Sequence, residues 1–233
     1  MPKKKTPGTS IAVAPTRRDI ARRIGSQLVQ VDAIYNVPSV HPSGNGPWAD
    51  EADKIAWTDP ATGFPCIIRR SQRWGHLCGY VGVEHGHALH GFDVKALAGI
   101  GLRVHGGIDY AEPCAARDPE PVSVCHVTRI KEGYFVPASS EILRNDLARE
   151  VAARDDAWWL GFSCDKEGDA LPKADRTRTT EFLGTQTRVY RDEAYVHAEC
   201  TRLAAQLKAM ETGSILPPAP TVLPISDRRE DEA

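Results

Sequence analysis

The sequence predicts an α+β domain: an antiparallel sheet of about five or six strands with helices packed on one face. Two observations predict it. Short runs of alternating apolar and polar residues are separated by turn sequences, and one segment near the end steps its apolar residues by 4, 3, 4, 3. The length of 233 residues and an ordinary apolar content are enough for one sizeable core without staples.

Residues 1–15 read as disordered. Thr16 is placed to cap a short helix with Ile20, Ile24 and Leu28 on one stripe. From Tyr35 to Pro47 the chain is rich in Pro, Ser, Gly and Asn, which reads as a linker leading to Gly46-Pro47-Trp48. The expected organisation is a basic, largely disordered arm with a short helix over 1–45, one globular domain over 46–213, and a Pro-rich, charged, disordered tail over 214–233.

Within the domain, Ile55-Ala56-Trp57 leads through the turn sequence Asp59-Pro60-Ala61-Thr62-Gly63 into Phe64 to Arg69. After a turn at Trp74-Gly75, His76 to Val83 alternates, with Leu77, Val81 and Val83 opposite Cys78 and Tyr80. Gly101 to Tyr110 reads as a further strand, with Leu102, Val104, Ile108 and Tyr110 opposite Arg103, His105 and Asp109. Val122 to Thr128 is another, and Ser139 opens a helix carrying Leu143, Leu147 and Val151. Ala157 to Ser163 returns to strand, with Trp158, Leu160 and Phe162 as its apolar face. A polar connection over 164–188 precedes the clearest element, a helix with Val196, Cys200, Leu203, Leu207 and Met210 on one face and Gly213 as its stop.

Charge narrows the partners. Residues 1–24 carry seven basic side chains against Asp19, so the rest of the chain holds a net charge of −8 within a total of −2. That balance does not favour nucleic-acid binding by the body of the domain. No apolar run approaches the ~20 residues of a membrane span, and no signal peptide is legible. A cytoplasmic location follows, in which the six cysteines stay reduced as small buried hydrophobes, with no CxxC pair among them.

Four places can hold chemistry. His85 and His87, with His90 or a more distant His105, offer the imidazoles for a divalent metal, although Gly86 makes the run read as a surface loop, and the sequence names no cofactor. In His105-Gly106-Gly107 the glycines leave backbone uncovered for a ligand, and a period of two sets His105 beside Asp109 and Arg103. Trp158 to Asp169 is a strand ending in acids: alternation turns Cys164 toward the core and puts Asp165 on the polar face with Trp159. Cys125 and His126 are adjacent and so point apart in extended chain. The candidate catalytic residues are therefore His105, Asp109 and Asp165, and the candidate ligand contacts are Arg103, Gly106, Gly107, Trp159 and Asp169. No Walker loop, GxGxxG, GxSxG, HExxH or EF-hand loop is present.

Taken together, Gly46-Pro47-Trp48, Leu77-Cys78-Gly79-Tyr80-Val81-Gly82-Val83, Val104-His105-Gly106-Gly107, Trp158 to Cys164 and Tyr190 to Val196 make the chain resemble a family of small bacteriophage and prophage proteins. The resemblance covers 46–212 and implies a phage setting and a cytoplasmic product, with no particular activity. It also implies a Cys-x-His-x-Gly-Asp ending to the fourth motif, where this chain has Cys164-Asp165-Lys166-Glu167-Gly168-Asp169. Lys166 in place of the histidine counts against a Cys–His metal site there. Two functions are compatible with these readings. One is binding or hydrolysis of a small polar, nucleotide-like ligand, which in a phage setting could counteract host defence. The other is a non-enzymatic interaction with a host or virion protein through Trp48, Trp57, Trp74 and the flexible arms.

Overall fold

A computed structural model describes residues 20–114, 118–125, 157–174 and 188–213. The fold is α+β, with a six-stranded antiparallel sheet beside a two-stranded one. The expected helix from Ser139, His126 to Thr128, and the two tails (1–19 and 214–233) lie outside the described residues.

The first departure from expectation comes at once. The stripe through Ile20, Ile24 and Leu28 is not a helix: β1 (Ile20–Ile24) and β2 (Gln27–Val31) pair as an antiparallel hairpin. A spacing of four is also two periods of a strand, so the stripe fits both geometries. The turn settles it. Gly25, at φ +58°, opens the two-residue Gly25-Ser26 turn that tight hairpins demand. Leu28, on the supposed apolar stripe, is 68% exposed.

The large sheet runs in the order β3 (Ala33–Tyr35), β4 (Lys54–Thr58), β5 (Pro65–Arg70), β6 (Leu77–Val83), β8 (Trp158–Ser163) and β7 (Tyr110–Pro113). Between β4 and β5, Asp59 Oδ2 accepts from the Thr62 amide at 2.9 Å and the Thr62 hydroxyl at 2.6 Å, and Gly63 supplies the positive φ. Residues 35–47, expected as a linker, are instead packed: Val37 and Val40 are buried, and Val37 N and His41 Nδ1 both bond to the Asp53 carboxylate. The packed region therefore includes the hairpin and β3, well before Gly46. Gly101 to Asp109 is not a strand either. Gly106 and Gly107 take φ of +66° and +84°, which breaks the extended chain, and only Tyr110 onward pairs with β8. Of the strand expected from Val122 to Thr128, Val122 ends a 3-10 turn (Glu120–Val122) and residues 123–125 form no strand.

Both sheet faces are covered, which is why β6 is buried at all seven positions. On one face lies α2 (Glu193–Glu211), the clearest element of the sequence; the only other α-helix among the described residues is the short α1 (Val94–Leu97). Val196, Cys200, Leu203 and Leu207 of α2 sit in a core with Ile55, Trp57, Ile68, Leu77, Val81, Leu160 and Phe162. Each such side chain contributes on the order of 1.5–3 kcal/mol by leaving water. Asp192 caps α2 by accepting from Tyr195 N at 2.8 Å, and Gly213, at φ +67°, follows its end. The opposite face holds Tyr35, Val37, Val40, Ile67, Tyr80, Val124 and Trp159.

Buried charges tie the pieces together. Arg70, wholly inaccessible, donates to Asp53 Oδ1 (2.8 Å), Gly75 O (2.9 Å), Tyr190 Oη (3.0 Å), Glu51 Oε2 (3.0 Å) and Ala52 O (3.3 Å). Glu51 accepts from the Glu193 amide, and Glu193 accepts from Arg22 and from Ala52 N. Hairpin, loop and helix start are thus joined through one ionic network.

The cysteines divide. Cys66, Cys78, Cys164 and Cys200 are free and buried, whereas Cys114 and Cys125 form a disulfide, contrary to the expectation that all six stay reduced.

Candidate functional site

Alternation along two strands builds a cleft on the face away from α2. Arg69 and Ser71 from β5 and the turn after it, and His76, Cys78 and Tyr80 from β6 and the residue before it, project together. The register sets Arg69 opposite Cys78 and Cys78 opposite Ser163, with Tyr80 opposite Gly161 and Gly161 opposite Tyr110. Gly161 is needed there, because a Cβ would come within 2.4 Å of the Tyr80 ring. The cleft has a volume of about 650 Å³. Arg73 and Trp74 of the β5–β6 turn line it together with Asp109, Tyr110, Asp118 and Asp165.

Arg69 donates to Val122 O at 2.7 Å and to Tyr80 Oη at 3.1 Å, while its Nε has no partner. The Arg73 guanidinium lies 4.8 Å from the Trp74 ring centre. His76 is buried, its Nδ1 has no hydrogen-bond partner, and its Nε2 stands 3.9 Å from Asp165. Burial pushes its basicity down, only partly offset by Asp165. Burial also pushes the Tyr110 phenol up to about 12.

Lys166 ties two of the lining acids together. Its ammonium donates to Asp109 Oδ2 at 2.7 Å and Asp165 Oδ1 at 2.9 Å. Burial works against the Lys166 charge, but these two carboxylates outweigh it and hold the ammonium above its usual pKa. Burial likewise opposes the Asp165 charge, and Lys166 overcomes that to hold its carboxyl below its usual value.

His105 belongs to a second cluster, on the α2 side. Its Nε2 lies 2.6 Å from Asp169 Oδ2 and its Nδ1 lies 2.9 Å from Tyr195 Oη. Asp169 also accepts from Lys166 N (3.0 Å) and Arg191 Nε (2.9 Å). The expected pairing of His105 with Asp109 is therefore replaced by His105 with Asp169. The left-handed glycines turn the chain between 105 and 109, so a strand's period of two no longer applies. Lys166 stands between the clusters, its amide on Asp169 and its ammonium on Asp109 and Asp165.

Gly106 is no open cradle, since a Cβ there would strike the Lys166 chain at 2.5 Å; beside Gly107 there is open space. Trp159 is fully buried and touches no ligand surface. Arg103 fastens its backbone N–H and C=O to Gln206 at 2.7 and 2.8 Å and is exposed. The expected histidine metal site is not formed. His87 donates Nε2–H to Leu207 O and accepts the Leu89 amide on Nδ1, so both ring nitrogens are used, while His85 stacks on His90. Among the described residues no group of three or more His, Cys, Asp or Glu side chains is arranged to hold a metal ion. Burial raises the Cys164 thiol far above the range of a nucleophile, as its core-facing position implies. Tyr195, Arg191, His76 and Arg69 are functional candidates that sequence reasoning missed. Only the Tyr190–Val196 motif hinted at the first two.

The buried histidines predict a pH response. His76 and His197 both have basicity lowered by burial from the usual 6.5. Below that value the unfolded chain takes up protons that the native chain refuses. Their contribution to stability is therefore full above pH 6.5 and falls as acid is added down to the folded-state values. Urea denaturation across this range is expected to show that slope, and His197→Gln should flatten it.

Fold and site define an α+β protein with a polar cleft on one sheet face and a Tyr–His–Asp cluster against the helix on the other. No helix among the described residues is long and apolar enough to cross a membrane. No protein-family model matches the chain, and comparisons with curated proteins and with solved structures give no match.

Proposed function

We propose that the chain binds a small polar, nucleotide-like ligand in the cleft on the β5–β6–β8 face. One observation carries this reading: a cavity of about 650 Å³ that combines guanidinium groups, carboxylates and aromatic rings. Small-molecule sites typically enclose roughly 300–1,000 Å³ and place a few polar groups among rings. Arg69 and Arg73 suit a phosphate, Asp109, Asp118 and Asp165 suit the N–H groups of a base, and Trp74, Tyr80 and Tyr110 suit its plane. The His105 cluster does not line the cleft, which favours binding over hydrolysis in it. In a phage setting, such a protein would hold a host signalling nucleotide out of circulation in the cytoplasm.

The interaction reading draws less support, because Trp48 and Trp57 are core residues with 5% and 1% exposure, leaving Trp74 as the accessible one of its three tryptophans.

The test is calorimetric titration with a panel of mononucleotides and dinucleotides. Arg73→Ala and Asp165→Asn are expected to weaken binding about tenfold each, or about 1.4 kcal/mol, while leaving the melting temperature nearly unchanged. A panel that gives no heat, or variants that bind like the parent, would refute the assignment.

A further inference from the structure

The second cluster has a different chemistry. Asp169, 1% exposed and bonded to Arg191, is a carboxylate and can only accept. The 2.6 Å contact therefore requires the proton of His105 to sit on Nε2. When the imidazole is neutral, Nδ1 is a lone pair that accepts from the Tyr195 hydroxyl 2.9 Å away. A neutral imidazole thus holds a phenol proton, and its own orientation is fixed by a buried acid that three hydrogen bonds keep from rotating. This is the arrangement by which a base activates a nucleophile.

We propose that Tyr195 is a nucleophile toward phosphoryl electrophiles, with His105 as its general base and Asp169 as the positioning residue. Tyr195 is partly exposed in the first turn of α2, so a substrate can approach it from solvent. The Arg191 guanidinium lies 4.6 Å from the phenol ring. Burial holds the Tyr195 phenol above its usual pKa, so it is protonated at rest, while Arg191 and Arg202 favour the oxyanion. The Arg191 guanidinium, held at the phenol ring by its bond to Asp169, is the reason for naming an anionic phosphate ester as the substrate class. In the step, Tyr195 Oη forms a bond to phosphorus as its proton passes to His105 Nδ1. The bond from phosphorus to the leaving oxygen breaks with its electron pair, and His105 returns the proton to that oxygen. Nothing in this step depends on the cleft being a ligand site.

Diisopropyl fluorophosphate is the probe, since its P–F bond breaks with loss of fluoride as the Oη–P bond forms. Peptide mass spectrometry on the full chain follows the labelling of each tyrosine. Tyr195 is expected to label about 100-fold faster than the other five tyrosines, as general-base assistance implies. His105→Gln and Asp169→Asn should reduce it to their level while circular dichroism and the rates of the other tyrosines stay unchanged. Tyr195→Phe should remove the fast-labelled site. Equal labelling of all tyrosines, or fast labelling of Tyr195 that survives loss of His105, would overturn the proposal. If His105→Gln fails to fold, Asp169→Asn alone decides it, because a merely structural role for Asp169 would leave the relative rate of Tyr195 unmoved.

Discussion

Replacing Arg70 with alanine is expected to lower the unfolding free energy by about 3–5 kcal/mol, the usual cost of removing one partner of a buried charge network. The guanidinium is completely inaccessible, and it neutralises Asp53, itself 2% exposed, and Glu51, which is 10% exposed. Removing it takes the guanidinium from both carboxylates, and leaves Gly75 O and Ala52 O without that donor. Arg70→Met is expected to cost nearly as much although it fills most of the volume, since orphaned charge rather than a cavity is the cause. Urea denaturation of the two variants measures this. A loss below about 1 kcal/mol for Arg70→Met would show that the network contributes packing alone.

Gly161→Val should be the second most damaging change, at about 2–3 kcal/mol or more, from overpacking in a central strand. Its Cβ would meet the Tyr80 ring at 2.4 Å and, less forgivingly, the Gly79 carbonyl oxygen at 2.9 Å. The ring can swing, but the neighbouring backbone cannot. Tyr80 would be driven into the cleft and away from Arg69, so the variant is expected to lose nucleotide binding along with stability. Gly82→Ala is the control, its closest contacts being Pro65 Cγ at 3.0 Å and the Trp159 ring at 3.3 Å. Thermal unfolding that ranks the two variants in the reverse order would contradict the register of β6 with β8.

The sheet was legible in the sequence because its strands are short, alternating and separated by turn chemistry that acts locally. Asp59-Pro60-Ala61-Thr62-Gly63 turns by its own hydrogen bonds, and the spacing of α2 states which side is buried. The hairpin at Ile20 was not, because a repeat of four fits strand and helix alike until Gly25 breaks the tie. The candidate site was legible in its residue types and not in its pairings. His105 and Asp169 are 64 residues apart, and His105 and Tyr195 are 90 apart. No local pattern announces such contacts, and the nearest acid along the chain is Asp109. Two left-handed glycines were enough to separate them. The disulfide is not legible either: the expectation of reduced cysteines rests on a cytoplasmic location, and only the fold brings Cys114 and Cys125 to a Cα separation of 4.9 Å.

The outer strands of the sheet bear on behaviour at high concentration. β3 offers three residues and β7 four, and β7 closes with Pro113, whose ring nitrogen has no hydrogen to give a neighbouring chain. Glu112 beside it is exposed and would bring like charge to like charge if two copies met there side by side. Short borders, a proline and a carboxylate are devices that discourage one molecule from extending its sheet through another. Among the described residues both borders of the sheet thus resist addition of a further strand, and replacing Pro113 and Glu112 with strand-forming residues is expected to weaken that resistance.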